Sequence, residues 1–300
     1  MGSNFELGVV HSKKSEAEKL LQIGVQEITR IENLLSEFIS TSTTNEINTT
    51  ARQNPLLINN ECFELISRSQ NISNLTKGCF DISVSPLKKI YSFKNHFFNF
   101  PCHSEIIKTL QSVGYQKIEL SKENQSIFFK IDGMKISFSA IGKGYAADKV
   151  KQLWINEGVK SGYVNASGDL TTFGSKADGT QWKIGIRHPE NKNEILMYVP
   201  LNESSVATSG NYEQFFLYND IKYSHNINPF TGMPISGIKS VSVFSPSAEL
   251  SDALATAVYV MGKTNGIKFI NQLPHTYCII IDDKNKVYFS KKMHYAESSI

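Results

Sequence analysis

The chain has 300 residues, 40% hydrophobic and 20% charged, with a formal net charge of +3. That length allows one large domain or two intimate ones. The small charge, with Lys and Arg spread along the chain, gives no basis for a nucleic-acid partner. No apolar run approaches ~18 residues, so no transmembrane helix is expected. Cys62, Cys79, Cys102 and Cys278 form no CxxC pair, so neither a zinc site nor a disulfide framework is expected. His275 and Cys278 are near neighbours, but two ligands without a second pair do not make a metal site. Met1 leads directly into an apolar strand, without the pattern of a signal peptide.

In chain order, a strand is expected at 5–10. Ala17, Leu21, Gly24, Ile28, Ile31 and Leu35 then recur at helical spacing and predict an amphipathic helix with Ser15 as its N-cap. The Thr-, Asn- and Ser-rich stretch 40–54 reads as a loop. Helices are expected at 60–69, 85–93 and 103–113, around an aromatic, irregular excursion at 95–102. The period then changes to that of strands at 117–120, 126–131 and 135–138, with Asp132-Gly133 as a hairpin turn. A helix at 141–156 is followed by strands at 162–165, 170–174, 182–187, 195–201, 205–208, 215–218, 221–224 and 240–244. Helices at 246–257 and 264–272 and a hairpin around Asp282-Asp283 complete the pattern. Elements cluster by type, without strict alternation, which argues for an α+β fold with largely antiparallel sheets. No linker divides the chain, so residues 1–300 read as a single unit.

The helix near residue 250 carries the sharpest signal. Asp252 and Thr256 are one turn apart and share a face. A carboxylate in a packed helix is costly unless something pairs with it, and a carboxylate beside a hydroxyl suits a hard cation such as Mg2+. The alternative is an ordinary helix start, with Ser247 as cap, Glu249 in the first turn and Asp252 facing water. Four further segments concentrate glycine and small polar groups. The stretch 139–148 runs a glycine loop, with Lys143 and Gly144, into a helix N-terminus that can face an anion, but it is not a Walker loop. Asn165-Ala166-Ser167-Gly168-Asp169 reads as a tight turn or as a close approach to a ligand. Thr208, Ser209 and Gly210 suit phosphate oxygens or a turn. His225 stands at the root of a stiff loop, 225–234, where an imidazole can be held for proton transfer or stacking. Together these segments match the needs of a nucleotide-like ligand with a pyrophosphate, with Tyr91, Phe93 and Phe38 available to cover a ring.

The segments Met1-Gly2-Ser3, Phe80-Asp81-Ile82-Ser83-Val84-Ser85-Pro86-Leu87, Ile141-Gly142-Lys143-Gly144-Tyr145-Ala146-Ala147-Asp148, Val164-Asn165-Ala166-Ser167-Gly168-Asp169, Val206-Ala207-Thr208-Ser209-Gly210, Ser224-His225 with Pro229-x-Thr231-Gly232-x-Pro234, and Ser251-Asp252-Ala253-Leu254-Ala255-Thr256 resemble, in that order, the FAD:protein FMN transferases, the flavin transferase (ApbE) family. The resemblance runs from Met1 to about residue 262.

The resemblance implies a flavin-binding α+β fold and a Mg2+-dependent reaction. Such enzymes split FAD, attach FMN through its phosphate to a Thr or Ser of a target flavoprotein, and release AMP. It places the metal on Asp252, the Thr256 hydroxyl and main-chain oxygens at Ala140 and Ala255. Met1, Phe38, Tyr91, Ser92, Phe93, Ser137, Lys143, Gly144, Asp148, Thr208, Ser209, Gly210, His225 and Asn226 are the implied FAD contacts. His225 and Asp252 are the implied catalytic pair. The acceptor in such systems is a subunit of a membrane redox complex or a reductase. Relatives work outside the cytoplasmic membrane, exported or lipid-anchored, whereas this chain opens without a leader or a lipid-attachment cysteine. Three positions depart from the family pattern: Ser137 stands where an acid is usual, Asn228 where an aspartate is usual, and Phe38 where a tyrosine is usual. Two other readings share the site, a Mg2+-dependent FAD pyrophosphatase and a non-enzymatic FAD-binding protein.

Overall fold

A computed structural model describes residues 3–91, 100–187, 194–201, 203–211, 215–219, 221–291, 293 and 296–297. Strand β1 (Phe5–Val9) and helix α1 (Lys14–Leu35) open the chain. Helix α1 begins before Ser15, and Lys13 takes the cap position without a side-chain bond. Helix α2 (Thr43–Thr50) occupies part of the stretch expected to be a loop. Thr and Asn are poor helix formers, but three tertiary and capping contacts override that preference. Ile47 is fully buried, the Ser42 hydroxyl accepts from Asn45 N at 3.0 Å, and Thr44 Oγ1 donates to Leu35 O at 3.0 Å.

Next come β2 (Leu56–Leu57), α3 (Asn60–Leu75), α4 (Ser85–Ile90) and α5 (His103–Leu110). Strands β3 (Ile118–Ser121) and β4 (Ser126–Phe129) pair with each other, and β2 pairs with β4. The expected strand at 135–138 joins no sheet. The Asn48 side chain takes the place of a neighbouring strand there, accepting from Ile136 N at 2.7 Å and donating to Ile136 O at 2.9 Å. The segment is also pinned by Ser137 N, which donates to Ile82 O at 2.9 Å.

The remaining elements are α6 (Gly142–Asn156), β5 (Gly162–Ala166), β6 (Asp169–Phe173), β7 (Trp182–Arg187), β8 (Ile195–Leu201) and β9 (Ser205–Gly210). They are followed by β10 (Phe215–Tyr218), β11 (Ile221–Ser224), β12 (Ile238–Ser245), α7 (Ala248–Ile270), β13 (Tyr277–Asp282), β14 (Val287–Phe289) and β15 (Ala296–Glu297). The two helices expected at 246–257 and 264–272 follow one another within α7, divided at Gly262, which leaves the helical region at φ 78° and ψ 170°.

The order β1-β5-β6-β9-β12-β13-β14 makes the main sheet, and every pairing in it is antiparallel. Helix α7 packs on β9 and β12, α6 packs beside it over β5 and β6, and α1 packs on α6. Alternation along the strands separates the two sides of the sheet. Val241, Val243, Cys278 and Ile280 join the core under α7, while Phe244 and Ile279 join a second core with β7 and β8. Helix α7 is apolar almost all round, as a helix between layers must be. Ala253, Ala255 and Ala257 are fully buried in it. The chain is thus α+β with antiparallel sheets, as expected.

Candidate active site at the junction of two helices

Asp252 lies early in α7, and its residue is only 5% exposed. One carboxylate oxygen, Oδ2, accepts from Gly144 N at 3.2 Å. This bond forms because the two backbones nearly touch. A Cβ on Gly144 would lie 2.1 Å from Ala248 O and 2.8 Å from Glu249 N, so only glycine lets α6 start against α7. Asp148, one turn further along α6, accepts from Ala248 N at 3.0 Å and Glu249 N at 2.9 Å. With the Ser247 hydroxyl accepting from Leu250 N at 3.1 Å, these bonds satisfy the open N–H groups at the start of α7.

A second buried acid faces the first. Asp169 opens β6 directly after the Ser167-Gly168 turn, and it forms an ion pair with Lys143. Its other oxygen accepts from Thr208 N at 3.2 Å. Burial foremost, and then the charge of Asp169, hold the Asp252 carboxyl well above the usual carboxylate range. Lys143 and the Gly144 bond oppose them. One turn along α7, Thr256 Oγ1 is 3.3 Å from the Ser209 hydroxyl of β9, and Thr208 Oγ1 is 2.8 Å from Ser242 Oγ of β12. The segment 165–169 is the tight turn between β5 and β6, with Ser167 and Gly168 at positive φ, and it places Asp169 next to Lys143.

A hard divalent cation fits this donor set. Asp252 contributes a carboxylate disfavoured by burial and by a like charge, which a cation relieves. Thr256 and Ser209 add hydroxyl oxygens. Among the described residues no three His, Cys, Asp or Glu side chains converge. One or two carboxylates completed by substrate phosphates is the usual arrangement for Mg2+. Ala140 sits in the turn entering α6, and Ala255 is buried inside α7.

Several expected FAD contacts have other tasks. The glycine loop does not present a free cradle for an anion: Gly142 N donates to Phe138 O at 2.6 Å, Gly144 N is engaged by Asp252, and Lys143 by Asp169. The Asp148 carboxylate holds the end of α7. Tyr91, expected to cover a ring, is 2% exposed and donates to Gly232 O at 2.8 Å, so it braces the 225–234 loop from below. Phe38, by contrast, is 88% exposed. Ser137 donates to Glu37 Oε1 at 2.6 Å. Asn228 closes an Asx turn by accepting from Phe230 N at 2.8 Å. His225 follows β11 directly, beside Asn226, whose buried Nδ2 has no partner. Gly210 ends β9, so the 207–210 segment is strand throughout. Met1, Ser92 and Phe93 lie outside the described residues. Sequence reasoning missed Asp169 and Glu37 as site residues. Asp169 had a signal, an acid directly after a turn, whereas Glu37 had none.

The ApbE family model matches residues 1–280. A curated protein of Vibrio cholerae named FAD:protein FMN transferase is 24% identical, across 97% of this chain and 88% of that protein. One of the same name from Klebsiella pneumoniae is 26% identical, across 97% and 89%. The crystal structure of an ApbE protein from Thermotoga maritima superposes with a TM-score of 0.88 at 28% identity, covering 97% of this chain and 94% of that one. A Pseudomonas stutzeri flavinyl transferase ApbE structure, at 24% identity and a TM-score of 0.85, shares the fold across 97% and 92%.

Proposed function

The chain belongs to the ApbE family, and on that premise we propose that it is an FAD:protein FMN transferase dependent on Mg2+. The observation that carries the reading is the buried Asp252 carboxylate, opposed by Asp169, with the Thr256 hydroxyl one turn away. Asp252, Thr256 and main-chain oxygen at Ala140 and Ala255 would hold the ion. When bound, the ion supplies Lewis acidity, neutralising charge on phosphate oxygens.

Asp252 is kept in place by Gly144 N, and Asp169 is kept in place by Lys143 and Thr208 N. This fixed frame orients the FAD phosphates at the start of α7. A Thr or Ser hydroxyl of the acceptor flavoprotein attacks the flavin-side phosphorus. The P–O bond to AMP breaks, AMP leaves with the electron pair, and FMN becomes a phosphoester of the acceptor. The hydroxyl proton passes to a base, for which His225 is the candidate, held at the root of a loop that Tyr91 braces. The acceptor class, a membrane redox subunit or a reductase, rests on the family resemblance alone.

The test combines protein, FAD, Mg2+ and a candidate acceptor. The acceptor gains the mass of FMN and AMP appears in equal amount. Asp252→Ala stays folded and loses about a thousandfold in rate, the equivalent of the several kcal/mol that a metal supplies. Full activity in that variant would end the metal assignment. Free FMN beside an unmodified acceptor would mean hydrolysis in place of transfer.

A further inference from the structure

The dinucleotide's pyrophosphate carries two negative charges, and the two cationic features expected to meet them are already engaged. Lys143 pairs with Asp169, and the N–H groups of Gly142 and Gly144 bond to protein oxygens. A different cation stands nearby. Lys88 on α4 is part-buried, and its ammonium donates to Ser139 Oγ at 2.7 Å. Ser139 directly precedes Ala140 in the turn entering α6. The charges of Glu37 and Asp252 both reach the Lys88 ammonium, and that of Lys88 reaches Asp252 in return. Glu37 is itself fixed by two neutral donors, Ser85 Oγ at 2.9 Å and Ser137 Oγ at 2.6 Å.

A single hydroxyl satisfies one of the three donors of an ammonium group. Burial outweighs the charges of Glu37 and Asp252 at this ammonium, and its cost falls when a phosphate oxygen arrives. We propose that Lys88 is a phosphate-binding residue of this site, oriented by Ser139 so that its ammonium takes a non-bridging oxygen of the FAD pyrophosphate. The proposal rests on the FAD reading for the identity of the dinucleotide. No bond forms or breaks at the lysine.

The experiment measures FMN transfer in Mg2+ buffer for the wild type, Lys88→Met and Lys88→Arg, with riboflavin as a phosphate-free competitor. The Met variant should lose about 10- to 100-fold in kcat/KM for FAD, the range set by a charged hydrogen bond. Its inhibition by riboflavin should be unchanged, and the Arg variant should keep most of the wild-type value. Added salt should lower the wild-type kcat/KM more steeply than that of the Met variant. Equal FAD kinetics in the Met variant would overturn the proposal. So would a parallel loss of riboflavin binding, which would mark Lys88 as structural. If the wild type does not turn over FAD, the FAD reading fails by itself. Calorimetric titration with inorganic pyrophosphate then decides Lys88: weaker binding in the Met variant supports it, and equal binding refutes it.

Discussion

An aspartate at 5% exposure, beside a second buried acid, is expensive to keep ionised. The Asp252 site places that charge where a hydroxyl lies one helical turn away, and this juxtaposition was legible in the spacing of Asp252 and Thr256. Thr256→Val keeps the shape and removes the oxygen. The expected outcome is a Mg2+ requirement raised roughly tenfold or more, read from a Mg2+ titration of FAD turnover. An unchanged requirement would remove Thr256 from the ligand set. Other residue assignments were not legible. Tyr91 and Asp148 look like ligand contacts in a motif, yet packing turns one hydroxyl to Gly232 and both carboxylate oxygens to the start of α7. Ser137 lacks the acid usual at its position, but its hydroxyl holds the carboxylate of Glu37, a neighbour in space only.

Helices α6 and α7 meet end to end at Gly144, and that contact sets the site. Their starts were readable from local signals: a glycine loop before α6, and Ser247 before α7, which accepts from Leu250 N at 3.1 Å. Their mutual approach was not. Gly144→Ala forces a methyl group against Ala248 O, and backbone cannot yield as a side-chain tip does. We expect a loss of about 1–3 kcal/mol or more, the range for overpacking, seen in thermal or denaturant melts together with reduced FAD turnover. A variant with wild-type stability would show that the helices can part without consequence. At the same scale, α2 and the 135–138 segment escaped the sequence reading for one reason. Buried Ile47 made a helix of poor helix formers, and Asn48 supplied the bonds of a missing strand.

Across the molecule, a polar network joins the helices that carry the site. Arg30 of α1 donates twice to Glu61 of α3, at 2.7 and 2.8 Å. Tyr145 of α6 donates to the same carboxylate at 2.5 Å. Arg68 of α3 donates to Glu249 of α7 at 2.7 and 3.0 Å. Hydrogen bonding to Arg30 foremost holds the Glu61 carboxyl down at about 2, although burial opposes it. A depressed carboxyl stabilises the fold fully above its unfolded pKa, ~4.3, and that contribution is lost as pH falls toward the folded value. Glu61→Gln should therefore melt below the wild type at neutral pH, and the gap should close as pH drops from about 4 toward 2. A gap independent of pH would show that Glu61 acts by packing alone. By itself, the sequence determined the α+β class, most elements and the Asp252–Thr256 pair, because periodicity and one-turn spacing are properties of the local backbone. Only the tertiary structure decided which polar groups are already engaged, and that the charges of Asp169 and Lys88 reach Asp252. Those contacts join residues far apart in the chain, such as Gly144 and Asp252 at 108 positions and Arg68 and Glu249 at 181, and close packing alone brings them within hydrogen-bonding distance.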